Sequence, residues 1–287
     1  MDDVSPPGQP NKGTHEASNP SMMIAQSNDS NEVEAREAEA GRSISKDDLN
    51  KLPIKAYTGP IHVVHDREQV KHTLALLEAE DVLGFDTETR PSFERGVSYP
   101  PALLQLATRS DVFIFQLQAL GGLGPLRDIL ESKAVIKAGA AISDDIKQLN
   151  DCWAFKPRRF LEIGHLAKEL GYKQTGLRTL AGLTLGFRIS KKEQRSNWAK
   201  PRLTHSQIVY AATDAWVSRE LYLHLMAAWG ERTPPAEVDP LTPDPTRVRK
   251  RSDNRSPEHR HARKRGRIET TGAHTPELPG LELSDPA

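Results

Sequence analysis

Four acidic side chains lie inside otherwise apolar segments of this 287-residue chain. They belong to the stretches VLGFDTET, AGAAISDDIKQL and YAATDAW, and they are Asp86, Glu88, Asp145 and Asp214. An acid inside apolar secondary structure is costly unless a cation compensates its charge, so the four acids predict a shared metal site. Carboxylate oxygens favour Mg²⁺ or Mn²⁺, and the sequence shows no His/Cys cluster of the kind that binds Zn²⁺. The chemistry expected of such a site is phosphoryl transfer.

The first pair of acids lies on a predicted buried strand over residues 82–89. Side chains alternate along a strand, so Asp86 and Glu88 should share one face while Phe85 and Thr87 share the other. Two carboxylates ~7 Å apart along a strand can flank two metal ions spaced by ~4 Å. Two surface acids on a half-exposed strand would give the same pattern, so this pair alone does not establish a metal site.

The following segments predict the sheet that carries this strand. Residues 102–108 and 111–117 are two β-rich runs joined by a tight hairpin, and a helical segment comes next. Residues 134–141 then predict a short strand parallel to the first, because a helix separates the two. A strand with two acids followed by a two-stranded meander is typical of an RNase H-like sheet.

The second acidic motif opens a predicted helix with Ser143 as its N-cap. Its apolar stripe consists of Ile142, Ile146 and Leu149. Asp145 shares the inward face of that stripe, whereas Asp144 is turned about 100° away toward solvent. Asp145 is therefore the predicted ligand. Both acids could instead simply complement the helix dipole in the first turn.

The third motif lies on a long predicted helix that begins at Thr204. Tyr210 and Asp214 are four residues apart and so lie ~6 Å from each other on one face. In this arrangement Asp214 can bind metal while the Tyr210 hydroxyl orients an attacking water. A histidine base would have to stand at position 209, which is Val209. We expect His205 on the opposite side of the helix, as an exposed first-turn residue.

The stretches GFDTET, AGAAISDD and SNWAKPRLTHSQIVYAATDAW together resemble the three exonuclease motifs of the DEDD superfamily, in its tyrosine-bearing branch. That branch includes ribonuclease D and the exonuclease domain of Werner-syndrome-type proteins, and the resemblance covers roughly residues 54–229. It implies an α/β fold, an RNase H-like (DnaQ-like exonuclease) mixed sheet flanked by helices. The implied activity is hydrolysis at the 3′ end of RNA or DNA, releasing nucleoside 5′-monophosphates.

The resemblance also implies residue roles. Asp86, Glu88, Asp145 and Asp214 match the metal-binding acids, and Tyr210 matches the water-positioning tyrosine. The cofactor would be two ions of Mg²⁺ or Mn²⁺, one activating water and the other stabilising the leaving oxygen. Asp86 would bridge the ions, Glu88 and Asp214 would hold the ion nearest the nucleophile, and Asp145 would help hold the second.

Five further residues are candidates for substrate contacts. Lys191 and Arg195, with Lys192 beside them, could bind phosphates, since basic side chains supply most sequence-independent affinity for nucleic acid. A solvated basic loop is the alternative. The backbone at Thr87 could approach the terminal nucleotide, or its side chain could pack on the reverse face. Trp198 could stack on a base or act as a packing anchor.

The chain after Gly230 is proline-rich and does not predict the helical HRDC domains that follow the catalytic domain in ribonuclease D. A preference for RNA ends therefore cannot be carried over from that family. The alternative function is a catalytically silent nucleic-acid-binding adaptor with an exonuclease-like fold. The presence of all four acids and the tyrosine favours the enzyme.

Composition divides the chain into three regions. Residues 1–53 are predicted to be a disordered N-terminal tail with a short helix after Ser45, residues 54–230 an exonuclease domain, and residues 231–287 a disordered Pro-rich and basic tail. Ten basic residues cluster within 247–267 although the net charge is zero. This cluster predicts a nucleic-acid tether or a nuclear address, or it only increases solubility.

The expected compartment is intracellular. The chain shows neither a secretory h-region nor the ~20-residue apolar span that crosses a membrane, so no membrane partner is expected. The single cysteine, Cys152, fits a reducing compartment and is expected to be buried. The location would be cytoplasmic in a prokaryote, and the basic cluster could direct the chain to the nucleus in a eukaryote. The predicted partner is nucleic acid, and the sequence identifies no protein partner.

Overall fold

A computed structural model describes residues 42–233 and 235–237. Its centre is a six-stranded mixed sheet, with strands β1 (Ile61–Val64), β2 (Val82–Thr89), β3 (Pro101–Ala107), β4 (Val112–Gln116), β5 (Ile136–Gly139) and β6 (Phe160–Glu162). The order across the sheet is β1-β4-β3-β2-β5-β6. Strand β3 runs antiparallel to both of its neighbours, while β1–β4, β2–β5 and β5–β6 are parallel pairs. The predicted fold class is confirmed.

Helices flank this sheet. They are α1 (Lys46–Lys51), α2 (Arg67–Glu78), α3 (Leu117–Leu120), α4 (Leu126–Glu131), α5 (Ser143–Cys152), α6 (Ile163–Glu169), α7 (Leu177–Leu180), a π-helical turn (Ala181–Leu185) and α8 (His205–Trp229). Within the described part of the chain, no helix has both the length and the apolar character needed to span a membrane. The intracellular location stays a prediction.

Strand β2 is the central positioning element of the sheet. Its first four residues are buried, and it pairs with β3 so that Asp86 lies opposite Gln105 and Glu88 opposite Leu103. Phe85, on the other face, packs edge-on against Phe160 at 5.2 Å between ring centroids. The period-two alternation predicted for this strand is therefore confirmed, and so is the hairpin that joins β3 to β4.

Helix α8 crosses the sheet in close contact with β2. The helix starts directly after Thr204, as predicted, and Thr204 caps it and forms a capping box with Gln207. A Cβ added to Gly84 would lie only 2.0 Å from the Ala215 carbonyl oxygen. The missing side chain at Gly84 thus lets the backbone of α8 approach β2 at the residue next to Asp214.

Two predictions around α5 are wrong. Ile142, not Ser143, is the N-cap, and it supplies no side-chain hydrogen bond. The Ala141 and Ile142 N–H groups donate instead to the Glu162 carboxylate, at 2.7 and 2.8 Å. Cys152 ends the helix as an exposed residue, not a buried one.

The domain begins earlier than residue 54. Ser45 caps α1 by accepting from the Asp48 N–H, and Leu49 of this helix packs over Gly182 of the π-helical turn. The segment after α1 then pairs with the backbone of Arg188. The Arg188 N–H donates to Pro53 O at 2.9 Å, and the Lys55 N–H donates to Arg188 O at 3.0 Å.

Residues 42–53 are therefore part of the folded unit and not of a tail. The Tyr57 N–H extends this contact by donating to Thr213 Oγ1 at 3.0 Å. Residues 1–41 and 238–287 lie outside the described residues, together with the basic cluster at 247–267.

Gly84→Ala should destabilise the protein by about 1–3 kcal/mol, because the new methyl group would overpack the contact between β2 and α8. Urea unfolding followed by circular dichroism measures this loss. Gly176→Ala is the matched control, since a Cβ there meets no atom within 4 Å. Equal midpoints for the two variants would contradict the close contact at Gly84.

Candidate active site

Three of the four predicted acids converge between β2 and α8. Asp86 and Glu88 project from the strand and Asp214 from the helix, and one carboxylate oxygen of each lies within 4.8 Å of the other two. Asp214 is only 6% exposed, and its Oδ1 has no hydrogen-bond partner in the described part of the chain. Such a cluster brings several carboxyl oxygens to one small volume.

The fourth acid approaches from α5. The Thr87 hydroxyl donates to Asp145 Oδ1 at 2.7 Å, so a residue of β2 holds this carboxylate directly. Asp145 is partly buried, whereas the neighbouring Asp144 is exposed. The structure therefore places the two acids on the helix faces that the apolar stripe predicts.

Burial raises the pKa of each acid, and the charges of neighbouring acids add to this effect at Asp86, Glu88 and Asp145. Burial, with the charges of Asp214 and Asp145, raises the pKa of Asp86 well above its usual value, and burial with the charge of Asp86 raises that of Glu88 to about 10. Burial raises the pKa of Asp145 to about 6, although the Thr87 hydrogen bond lowers it. Burial raises the pKa of Asp214 to about 7 against the lowering effect of its hydrogen bond from Tyr210. The folded chain thus disfavours the ionised forms of its own acids.

A bound cation would reverse this electrostatic cost. The four side chains offer only carboxylate oxygens, which are the hard donors that Mg²⁺ and Mn²⁺ prefer. The unpartnered Asp214 Oδ1 supplies a free lone pair inside the cluster. These residues fit a divalent-metal site.

Tyr210 lies beside this cluster, one helical turn before Asp214. Burial and the charges of Asp214 and Glu88 raise the pKa of its hydroxyl far above the usual value, so the hydroxyl keeps its proton at neutral pH. Tyr210 and Asp214 also line a cavity of about 290 Å³ along α8, which Lys55, Lys192 and His205 border as well. His205 is exposed, as predicted, but it borders the same cavity as Tyr210.

The predicted substrate contacts fall into two groups. Lys191 and Arg195 are exposed on the loop before α8, and the Arg195 guanidinium lies 5.6 Å from the ring centroid of Phe93, which is 79% exposed. Trp198 is only 1% exposed and packs on Tyr210 with 5.8 Å between ring centroids. A base cannot stack on Trp198 in this position, so its predicted substrate contact is corrected to a packing role. The Thr87 side chain is likewise engaged by Asp145.

Sequence reasoning missed Gln105. This residue is fully buried directly across from Asp86, and neither its amide nitrogen nor its amide oxygen has a partner among the described residues. Directly opposed residues on antiparallel strands have Cβ atoms roughly 5 Å apart, so the Gln105 side chain starts from the same face of the sheet as Asp86. The signal in the sequence is a single polar residue within the apolar run ALLQLA.

Comparisons with known proteins agree with this geometry. A family model described as "3'-5' exonuclease" matches residues 61–228. The chain is 33% identical over 173 residues to the exonuclease 3'-5' domain-containing protein 2 of Homo sapiens, covering 56% of this chain and 28% of that protein. It is 29% identical over 186 residues to ribonuclease D of Haemophilus influenzae, covering 63% and 45%.

A solved structure shows the same fold. The EXO domain of Aedes aegypti Nibbler superimposes with a TM-score of 0.55 at 23% identity, covering 61% of this chain and 91% of that domain. The chain spans less than half the length of the two curated relatives. The family model nevertheless covers more than half of this chain and includes all four acids and Tyr210. This chain belongs to the 3′-5′ exonuclease family.

Proposed function

We propose that this chain is a divalent-metal-dependent exonuclease that hydrolyses the terminal phosphodiester bond at the 3′ end of a nucleic acid and releases nucleoside 5′-monophosphates. The observation that carries the proposal is the convergence of Asp86, Glu88 and Asp214 within 4.8 Å, with Tyr210 beside them. Family membership supports nuclease activity.

The four acids would hold the metal ions. Two ions of Mg²⁺ or Mn²⁺, when bound, supply activation of water and stabilisation of the charge on the leaving 3′ oxygen. The contribution of the chain is to hold carboxylates from β2, α5 and α8 in fixed positions. The sheet and the packed helix prevent the repelling acids from moving apart.

Tyr210 would position the nucleophilic water. Its raised pKa means that the hydroxyl stays protonated and acts through hydrogen bonding, not as a base. Trp198 packs against the ring and restricts its motion. The hydroxyl is therefore held in place beside Asp214.

The direct test uses Mg²⁺ or Mn²⁺ with 5′-labelled RNA, single-stranded DNA and recessed duplex DNA. We expect a ladder that shortens from the 3′ end of at least one substrate and disappears with a chelator. Wild-type protein that binds Mn²⁺ but shortens none of these substrates would favour the adaptor function instead.

Asp145→Asn should lower kcat by at least about 10²-fold, the scale of losing one electrostatic stabiliser of a transition state. Asp144→Asn is the matched control on the adjacent, exposed position and should keep near-wild-type turnover. Steady-state turnover of the preferred labelled substrate measures both. Similar losses in the two variants would show that the face of α5 assigned to the site is wrong.

Tyr210→Phe should reduce kcat by about 10²-fold with little change in KM, because it removes only the hydroxyl that orients water. Tyr222→Phe, a buried tyrosine on the same helix, is the control and should leave kcat unchanged. The comparison requires equal thermal stability of the two variants. Full turnover by Tyr210→Phe would remove the tyrosine from the mechanism.

The metal-free protein should lose stability as pH rises. The folded-state pKa values of Asp145 and Asp214, about 6 and about 7, exceed the ordinary value of 3.8, so the protonated acids favour folding most at low pH. In EDTA, the free energy of unfolding should fall between about pH 4 and pH 8, and Mg²⁺ should restore it at the upper end. Asp214→Asn should flatten this profile. A metal-free protein whose stability rises over that range would contradict the raised pKa values.

A further inference from the structure

Glu162 is a buried acid outside the proposed metal site. It ends β6, is 7% exposed, and uses both carboxylate oxygens as acceptors for backbone N–H groups. Oε1 accepts from Ala141 at 2.7 Å and from Gly164 at 3.0 Å, and Oε2 accepts from Ile142 at 2.8 Å. One carboxylate thus connects the start of α5 with the start of α6.

The start of α5 depends on this carboxylate. The first N–H groups of a helix lack intrahelical acceptors, and the N-cap residue Ile142 has no side-chain oxygen to supply one. Ala141 also has a positive φ of 62°, an unfavourable conformation for a residue with a Cβ. Such a conformation persists only where neighbouring contacts impose it. The hydrogen bonds from Ala141 and Ile142 to Glu162 are those contacts.

Asp145 lies only three residues after Ile142, in the first turn of α5. Its position therefore follows the geometry of the helix start. Thr87 fixes the Asp145 side chain from β2, while Glu162 fixes the backbone that precedes it from β6. Asp145 is thus held both through its side chain and through the backbone that precedes it.

We propose that Glu162 is a positioning residue for Asp145: its carboxylate fixes the first turn of α5 and thereby sets the affinity of the acid cluster for divalent cations. This role rests on the proposed metal-dependent function. It predicts that a change at Glu162 alters metal affinity because it displaces Asp145, and not because it destabilises the whole protein. Partners that orient metal ligands commonly change metal affinity by about 10–100-fold.

The first test measures Mn²⁺ binding by electron paramagnetic resonance. Glu162→Gln keeps the size of the side chain but replaces one acceptor oxygen with a donor that faces an N–H group. It should weaken Mn²⁺ binding by about 10-fold or more. Glu169→Gln, an exposed acid on α6, is the control and should bind Mn²⁺ like the wild type.

A double-mutant cycle separates positioning from general stability. In the Asp145→Asn background, Glu162→Gln should change Mn²⁺ affinity by less than about two-fold, because the acid that it positions is already gone. If Glu162→Gln weakened Mn²⁺ binding as much in that background as in the wild type, the proposal would be overturned. Unchanged Mn²⁺ affinity in the folded Glu162→Gln protein would overturn it as well.

Hydrogen exchange in the wild type tests the same contacts without a variant. The amides of Ala141 and Ile142 should exchange roughly 10-fold or more slowly than those of the exposed loop over residues 90–98. Equal exchange rates would overturn the role of Glu162 even if its variants do not fold. A wild-type protein that binds no Mn²⁺ would instead overturn the proposed function, and with it the positioning role at a metal site.

Discussion

The burial of several acids in one small cluster, where they also repel each other, is the constraint on which the rest of the structure depends. Three carboxylates with oxygens within 4.8 Å cannot all ionise cheaply in a buried setting. Burial and neighbouring charges raise the pKa of Asp86 and of Glu88, and burial raises that of Asp214. The metal-free fold must therefore supply enough packing energy to hold the acids together. The same repulsion favours cation binding, because a divalent ion would remove it. The repulsion that destabilises the metal-free protein would therefore contribute to its affinity for a divalent ion.

The fold meets this constraint differently on the two sides of the cluster. On the α8 side the contact depends on small size, since Gly84 and buried alanines let a 25-residue helix lie against the sheet along its length. The buried Arg219 of the same helix adds a polar contact by donating to Val82 O at 3.2 Å. On the α5 side the helix has ten residues and the acid is in its first turn, where backbone groups lack partners. There, polar contacts from Thr87 and Glu162 hold the start of the helix and Asp145 in place of the close helix-to-sheet packing of α8.

The features that sequence predicted are those set by local spacing. Alternation along β2 placed Asp86 beside Glu88, and helical periodicity chose Asp145 over Asp144. The features that it missed depend on residues far apart in the chain. Ser143 has the chemistry of an N-cap, but the acceptor for the helix start is Glu162, twenty residues away from Ile142. Residues 42–53 are too polar to indicate a folded segment, yet Gly182 and Arg188 give them a surface to bind.

Trp198 illustrates a further limit. Its place before the third motif left base stacking and a packing role both open, and the folded chain shows that its ring is buried against Tyr210. Distance along the sequence to a catalytic residue does not tell which side chain faces solvent.

The hydrogen bond from the Tyr57 N–H to Thr213 Oγ1 has a practical consequence. Thr213 precedes Asp214, so this amide proton senses the backbone of the helix that carries the acid, yet Tyr57 itself contributes no ligand atom to the cluster. Its chemical shift in a nuclear magnetic resonance spectrum is therefore a built-in reporter of the site. It would report binding of a divalent ion at the acid cluster without any change to the four acids or to Tyr210.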